Sequence, residues 1–372
     1  MQRYRAGEIT YAVATREDES AIRSLLETNS MDAWVAITLR REPDYFAAEK
    51  LMGESTTVIA YKGEEKDVVV GMYACTFMQV FFGGEAASIV YLGSLRVQPE
   101  FRHAIRYLKH GFDSIPALIH YPASLPFMLT SIASENRRAR RVLESNLKGM
   151  PTYLPLGELS TLIFAARNDP GATPLVTQAR KQDAAAIAAF YNAQARQYDF
   201  APVLEVSWLK TLDGSNGLRL EDFYLLHNSS GEIEAMFALW DQRAIKQTVV
   251  EHYRPPLNWL RPLYNLSAAM RGAVRLPHAG SRLEQIFIAF CVSGFGDANS
   301  KLALLRVASS LIHARGGKLC TVAMAADDPH RPTIQKALKA AEYATQIEAV
   351  FLDSTHKETV HARNIRPEIA VL

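Results

Sequence analysis

The sequence has few of the features that mark secreted or disulfide-bonded proteins. Only three cysteines occur among 372 residues, at Cys75, Cys291 and Cys320, and no two of them form a CxxC pair. An odd number of widely spaced thiols favours a reducing compartment, and each thiol lies in an apolar run typical of a buried side chain. The first eight residues contain no apolar stretch after their basic residues, so no ordinary secretory signal is predicted. We therefore expect a cytoplasmic protein.

Long apolar runs and a strong excess of charge are also lacking. Runs such as residues 286–292 are far too short to span a bilayer. The formal net charge is +2 and no long basic run occurs, so the usual sign of nucleic-acid binding is missing. No GxSxG, Walker A or HExxH motif is present, and His356 and His361 lie in a polar tail unsuited to a metal. We expect no nucleic-acid, membrane or metal partner.

The chain contains one pattern of elements twice. Its length suggests two domains, and its 48% hydrophobic and 22% charged residues are ordinary for a globular protein. Each half is predicted to run β-α-α-β-β-β-α-β-α-β, with a capping box of Thr15 and Asp18 at the first helix. The matching segments are 9–14, 57–61, 68–77, 87–97, 105–119 and 127–133 in the first half, and 175–180, 223–227, 233–240, 283–292, 299–315 and 319–325 in the second.

The polar stretch 167–174 separates the two halves. Its proline and glycine oppose the continuation of a helix or strand, so domains of 1–168 and 169–372 are predicted. The second half has an insertion at 255–276 that is rich in leucine, tryptophan and tyrosine. We expect a helix there that packs on the core or on the first domain, with a membrane-surface helix as the alternative.

The most specific segment is the one from Leu95 to Arg102, where a strand ends and a turn leads into a helix. The uncapped N–H groups of a helix start attract phosphate oxygens. Val97, Pro99 and Arg102 match the pattern V-x-P-x-x-R/Q-x-x-G-x-G/A, and the segment resembles the core of the GNAT acetyltransferase superfamily. Asn136 and Ala139, three residues apart at a later helix start, extend the resemblance, which covers residues 9–165.

The resemblance implies a fold and a cofactor. The fold is α+β, with two GNAT-like domains in tandem, each a mostly antiparallel mixed sheet flanked by helices. The fourth and fifth strands of such a domain splay apart, and acetyl-CoA, the acyl donor, lies in the opening. The first domain is expected to bind it through main-chain or side-chain groups of Leu95, Arg96, Val97, Arg102, His103, Ala104, Ile105, Arg106, Tyr107 and Asn136.

The sequence departs from the family pattern at the phosphate loop. The two family glycines fall at Ile105 and Tyr107, where bulky side chains hinder a close approach of the main chain to phosphate. Positive charge on His103, Arg106 and Lys109 would compensate, and the alternative is a scaffold that no longer binds the cofactor. The arginines 137, 138, 140 and 141 form either a solvated helix face or a contact to the 3′-phosphate of CoA.

Catalytic groups are less clearly marked. The family's usual general acid, a tyrosine, falls at Leu143, which leaves Tyr153 as a substitute or as a packing residue. In the second half, Gly294 and Gly296 precede a helix but no arginine accompanies them. Glu284 begins the preceding strand, where some family members carry the general base, and is the candidate for that role.

These observations favour transfer of an acetyl group from acetyl-CoA to a primary amine on a small molecule or peptide. The mechanism would be direct attack by the neutral amine, with main-chain N–H groups polarising the thioester carbonyl. A non-catalytic acyl-CoA-binding sensor or scaffold is the alternative, and transfer of an aminoacyl or other acyl group is a third reading. The acceptor and the choice between monomer and homodimer are left open.

Overall fold

A computed structural model describes residues 2–29, 35–49, 51–63, 68–102, 105–145, 147–169, 176–353 and 359–372. His103, Ala104, His356 and most of the predicted boundary, 170–175, lie outside the described residues. Among the residues described, no helix is long and apolar enough to cross a membrane.

The first half contributes the strands and helices that flank the predicted cofactor segment. A short 3-10 turn with the predicted capping box, in which the main-chain N–H of Thr15 donates to Asp18 at 2.8 Å, leads into the first helix. The elements are β1 (Arg3–Ala6), β2 (Ile9–Val13), α1 (Glu19–Thr28), β3 (Val35–Arg40), β4 (Glu54–Lys62), β5 (Val68–Phe82), β6 (Glu85–Val97), α2 (Ile105–Leu118), β7 (Met128–Ala133), α3 (Arg137–Leu143) and β8 (Thr152–Ala165).

The second half repeats this order around its insertion. Its elements are β9 (Val176–Gln178), α4 (Ala184–Ala195), α5 (Val206–Thr211), β10 (Phe223–His227), β11 (Ile233–Trp240), β12 (Gln247–Tyr253), α6 (Leu257–Arg271), β13 (Gln285–Ser293), α7 (Ala298–Ala314), β14 (Leu319–Ala325), α8 (Arg331–Leu338) and β15 (Ala341–Phe351). The predicted insertion at 255–276 contains α6, and β12 just before it is a further strand that the predicted order lacked.

One predicted element of the first half is wrong. The second helix expected there is replaced, in the described residues, by β3, which pairs antiparallel with β12 of the other half as a separate two-stranded sheet. The sequence of β3 is Val-Ala-Ile-Thr-Leu-Arg, and its β-branched residues favour a strand. The partner strand β12 lies in the other half, so the pairing could not be seen from either half alone.

The remaining strands form one continuous sheet of thirteen. Their order is β1-β2-β4-β5-β6-β7-β15-β8-β14-β13-β11-β10-β9. The predicted class is confirmed: in the described chain only β6–β7 and β13–β14 pair parallel, and helices flank the sheet. The last strand of each half pairs with the other half, because β15 lies between β7 and β8, and β8 pairs with β14. The division near residue 168 stays a prediction.

The insertion helix α6 differs from its predicted packing on the core. Its large apolar side chains are mostly exposed, and Ala268 is its only buried residue. The helix is held instead by the chain that follows it: the side chain of Asn265 hydrogen-bonds both the N–H and the carbonyl of Leu276. The expected contact with the core was therefore wrong for these side chains.

Candidate active site

Each half contains an opening between its two parallel strands. The pairing of β6 with β7 ends at Tyr91 and Leu129, and the pairing of β13 with β14 ends at Phe287 and Thr321. Beyond these residues the main chains of the two strands are no longer paired, although the hydroxyl of Thr130 on β7 donates to the carbonyl of Leu92 on β6 at 2.7 Å. This is the splay that the family resemblance predicts, and it occurs at equivalent places in both halves.

A β-bulge shapes each opening. Tyr73 on β5 faces both Ser94 and Leu95, and Phe237 on β11 faces both Phe290 and Cys291. Ser94 and Phe290 have φ angles of 52° and 50°, in the left-handed region that residues other than glycine seldom adopt. An inserted residue disrupts the ladder and leaves main-chain groups unpaired, and strain of this kind concentrates at functional sites. The bulges therefore identify the two equivalent candidate sites.

The bulge of the second opening is occupied by the chain's own tail. The main-chain N–H of Phe290 donates to Oε2 of Glu368 at 2.8 Å, and Arg366 donates to the carbonyl of Cys291. The N–H of Ala370 donates to the other oxygen of Glu368 at 3.2 Å. Burial raises the pKa of the Glu368 carboxyl. The bulge of the second half is thus occupied by a side chain of this same protein.

The helix that follows the second opening is also occupied at its start. Asp297 caps α7 and accepts hydrogen bonds from the N–H groups of Asn299 and Ser300, both at 2.9 Å. These hydrogen bonds lower the pKa of Asp297 and keep it ionised. A carboxylate in this position uses the N–H groups that would hold a phosphate and repels one electrostatically. Gly294 and Gly296, noted in the sequence, lead into this capped helix.

The first opening has no such occupant in the described residues. No side chain of the described part hydrogen-bonds the N–H of Ser94, the equivalent of Phe290. The predicted segment of Leu95, Arg96 and Val97 follows directly. Leu95 packs on the cluster of apolar side chains beneath α2, whereas Arg96 interacts with Tyr45 and Tyr91. The structure therefore brings the predicted strand segment to an open site.

Arg102 lies at the mouth of the first opening. Its Nε donates to the carbonyl of Val97 at 2.9 Å, and its guanidinium also donates to the side chain of Asn29. Partial burial lowers the pKa of Arg102, and the neighbouring positive charge of Arg138 lowers it further. Two cations from the starts of successive helices thus lie near one another, an arrangement that suits a polyphosphate.

The bulky residues in place of the family glycines have structural partners. Tyr107 is buried, donates its hydroxyl to Glu8 at 2.8 Å, and accepts at its carbonyl from Tyr11 at 2.7 Å. Arg106 covers the ring of Tyr107 at 5.0 Å and pairs with Glu8 at 3.6 Å. Ile105 is exposed. The start of α2 is therefore fixed to β2 by side chains, and Arg106 is already paired with an acid.

Asn136 has a structural role in this structure. It caps α3 and its side-chain oxygen accepts from the N–H of Ala139 at 3.2 Å. The predicted contacts of the cofactor with Arg102, Ile105, Arg106, Tyr107 and Asn136 stay predictions.

A group of cations beside Arg96 was not predicted as a site. Arg41 interacts with Arg96, and Lys246 with Arg41. Burial lowers the pKa of Arg41 to about 10 and that of Lys246 well below its usual range. The Nε of Arg96 is buried without a hydrogen-bond partner among the described residues, whereas Lys246 donates to the main-chain oxygen of Leu372 at 2.7 Å. Positive charge from both halves therefore gathers behind the bulge.

Glu49 is the carboxylate connected to this group. Burial raises its pKa to about 7, in spite of hydrogen bonds from Thr57 and Tyr45 that favour the charged form. The hydroxyl of Tyr45 lies 2.8 Å from that of Thr57 and interacts electrostatically with both Glu49 and Arg96. Glu49 belongs to no motif and no periodic segment, so the sequence offered no signal for it.

The predicted catalytic residues lie elsewhere. Glu284 precedes β13, at the end opposite the splay, and its carboxylate pairs with Arg243 at 3.0 Å. Tyr153 is buried against Phe112, with ring centroids 6.2 Å apart, and Leu143 is buried in the same cluster. Burial raises the pKa of Tyr153, and the nearby Glu348 raises it further. The structure does not bring Glu284 and Tyr153 together, and their catalytic roles stay predictions.

Comparison with known proteins supports the fold. No protein-family model and no curated protein matches the sequence. Two solved structures of Saccharomyces cerevisiae N-myristoyltransferase with bound myristoyl-CoA are similar in fold. One has a TM-score of 0.59 at 10% identity and covers 95% of this chain and 84% of that chain. The other has a TM-score of 0.60 at 8% identity and covers 97% and 85%. The chain therefore shares the GNAT-like fold of these structures.

Proposed function

We propose that this protein is an N-acyltransferase that binds an acyl-CoA donor in the first opening, between β6 and β7. One observation carries the proposal. Of two equivalent openings, the second has its bulge occupied by Glu368 and is followed by a helix capped with Asp297, whereas no side chain described here hydrogen-bonds the bulge N–H of Ser94. The similar yeast enzyme is an N-myristoyltransferase that binds myristoyl-CoA, which supports an acyl-CoA as the donor.

The occupied opening indicates what the free bulge does chemically. The N–H of Phe290 binds a carboxylate oxygen at 2.8 Å, a suitable distance for an oxyanion donor. The equivalent N–H of Ser94 would polarise the thioester carbonyl in the same way. The amine nitrogen attacks the carbonyl carbon, the bond from carbon to sulfur breaks, and the CoA thiolate leaves. The amine proton passes to a base and then to the thiolate.

Glu49 is the base that we assign to this reaction. A carboxyl with a pKa of about 7 accepts a proton near neutral pH far better than an ordinary one. Its interaction with Tyr45, and that of Tyr45 with Arg96, connects it to the strand that carries the bulge. Glu284 is the competing candidate, but its pairing with Arg243 occupies the carboxylate.

The acyl group that we propose is acetyl. A narrow apolar cavity of about 30 Å³ lies between α2 and the sheet, beside Leu92 and Leu95. That volume accommodates a group about as large as one water molecule or methyl group. We expect kcat/KM with acetyl-CoA to exceed that with myristoyl-CoA, and the reverse preference would assign a long-chain donor. The acceptor in the proposal is a primary amine of a small molecule or a peptide.

The binding site is tested by isothermal titration with acetyl-CoA and with CoA. Wild type is expected to bind one molecule per chain. Arg102→Glu should lose most of the affinity, because it places negative charge where phosphate is proposed to bind. Lys181→Glu makes the same change of charge at an exposed residue outside the opening and serves as the control. Undiminished binding by a folded Arg102→Glu variant would exclude this site.

A non-catalytic acyl-CoA-binding protein is the second candidate. The buried Leu143 at the position of the family's tyrosine, and the bulky Ile105 and Tyr107, favour it. Release of thiol from acetyl-CoA across a panel of amines distinguishes the two. Tight binding without thiol release from any amine would support the sensor or scaffold over the enzyme.

A further inference from the structure

The insertion helix α6 presents an apolar stripe to solvent. We define the stripe as Trp259, Leu263, Leu266 and Met270, which are 73%, 67%, 61% and 77% exposed. Their spacing of four, three and four residues places them on a single face of the helix. Exposed leucine and tryptophan are ordinary when scattered, but a contiguous row of four indicates a surface that binds something.

The stripe faces away from the protein because the opposite side of α6 is the attached one. Ala268 on that side is fully buried. Asn265 holds Leu276 through two hydrogen bonds, and Arg261 donates to the carbonyl of Pro277 at 3.1 Å. The helix thus rests on its own return segment, and its most solvent-directed face is its most apolar one. Burying four such side chains elsewhere would be favourable by about 1.5–3 kcal/mol each.

The charge around the stripe has one sign. Residues 254–283 contain five arginines and no aspartate or glutamate. Further cations approach the end of α6, since Arg167 donates to the carbonyl of Gly272 and Lys339 to that of Arg271. In the described chain Arg275 is exposed and forms no ion pair, whereas Arg282 lines a cleft together with Asp241 and Glu284. An apolar face beside positive charge is complementary to an apolar surface that carries negative charge.

We propose that α6 docks this protein on a membrane surface that contains anionic lipids. The stripe would enter the boundary between headgroups and acyl chains, and the arginines would contact lipid phosphates. Fifteen helical residues are about 22 Å long, too short to cross the hydrocarbon layer, so the helix lies in the interface. The proposal takes up the membrane-surface alternative for residues 255–276 against the expectation of no membrane partner, and it is independent of the proposed acyl transfer.

A second copy of the chain is a poorer occupant of this surface. Two stripes packed face to face would bring the six arginines of two insertions together without an acid from either insertion to pair with them. Like charges across an interface oppose association. The charge therefore favours a lipid surface over self-association.

Sedimentation of the whole protein with lipid vesicles tests the proposal. Wild type should bind vesicles of phosphatidylglycerol and phosphatidylcholine at least about tenfold more tightly than vesicles of phosphatidylcholine alone, and salt should weaken the binding. Leu263→Ser with Met270→Ser should reduce binding at least about tenfold without a change of charge. Arg275→Gln should reduce it about fivefold. Lys181→Gln, which removes a charge outside the insertion, should bind as wild type does.

The substituted side chains are exposed, so the variants should retain the wild-type melting temperature. Failure of the wild type to sediment with anionic vesicles would overturn the proposal, as would undiminished binding by the double serine variant. Light scattering tests the alternative that a second copy of the chain binds the stripe. A concentration-dependent dimer that the double serine variant abolishes would assign the stripe to a second copy of the chain instead.

Discussion

Among the single residues, Glu49 and Glu284 are the two candidates for the general base, and the pH dependence of catalysis in their variants distinguishes them. With a base of pKa about 7, the rate of thiol release should rise with pH and level off just above neutral pH. Glu49→Gln should lower the rate about 10²- to 10⁴-fold and remove that plateau, so that the rate rises until the amine itself is deprotonated. The measurement is the pH profile of kcat/KM with one amine.

Three further variants serve as controls for this pH profile. Glu205→Gln, at an exposed position, should behave as wild type. If Glu284→Gln removes the plateau and Glu49→Gln does not, the base predicted from the sequence is the right one. Tyr153→Phe should leave the profile unchanged, because the hydroxyl is buried against Phe112 rather than at the opening.

The buried carboxyl of Glu348 should make the free energy of unfolding depend on pH. It is fully buried, neither of its oxygens has a hydrogen-bond partner among the described residues, and burial next to Glu144 raises its pKa to about 7. The unfolded carboxyl loses its proton at a lower pH than the folded one. Stability from this group is therefore present below the unfolded pKa and is lost as pH rises towards 7. Glu348→Gln should raise the free energy of unfolding at pH 8 by on the order of 1–3 kcal/mol, and change it little at pH 5.

Urea unfolding at the two pH values measures the effect, with Glu205→Gln as the exposed control. An equal change at both pH values would mean that the glutamine acts through packing rather than through titration. The sequence did not single out Glu348, because its surroundings exist only when β15 enters the first half.

At the scale of elements, the sequence predicted what local patterns determine. The strands β4, β5 and β6, the helix α2 and the capping box of Thr15 and Asp18 follow from alternation, helical spacing and turn residues. The strand β3 was missed because its partner β12 lies in the other half. The bulges at Ser94 and Phe290 and the course of residues 359–372 depend on tertiary contacts, and so does the pKa of Glu49.

The tail segment around Glu368 carries a prediction at this scale. Glu368→Ala removes the acceptor of the Phe290 N–H and leaves a buried donor without a partner. We expect the free energy of unfolding to fall by about 1–3 kcal/mol. A buried N–H without an acceptor has lost its hydrogen bonds to water and has no protein partner to replace them. The affinity for acetyl-CoA should not change, since the proposed site is in the other half.

Isothermal titration of the Glu368→Ala variant with acetyl-CoA tests whether the affinity is unchanged. A second acetyl-CoA per chain would show that Glu368 alone keeps the second opening closed. A complete loss of the first binding event, in a folded variant, would show that Glu368 belongs to the donor site and would contradict our assignment.

For the whole molecule, the exchange of final strands determines how the two halves behave when they are separated. The predicted boundary, 167–174, should be the preferred site of limited proteolysis. After cleavage the two fragments should still elute together, because β15 remains between β7 and β8, and β8 remains between β15 and β14. The buried side chains of Ile347, Val350 and Phe351 would have to enter water for the halves to part, at about 1.5–3 kcal/mol for each large side chain. Expressed alone, each half should lack a cooperative melting transition, and expressed together the halves should regain it. Fragments that separate on size exclusion and melt cooperatively would instead establish two independent domains, as the sequence pattern suggested.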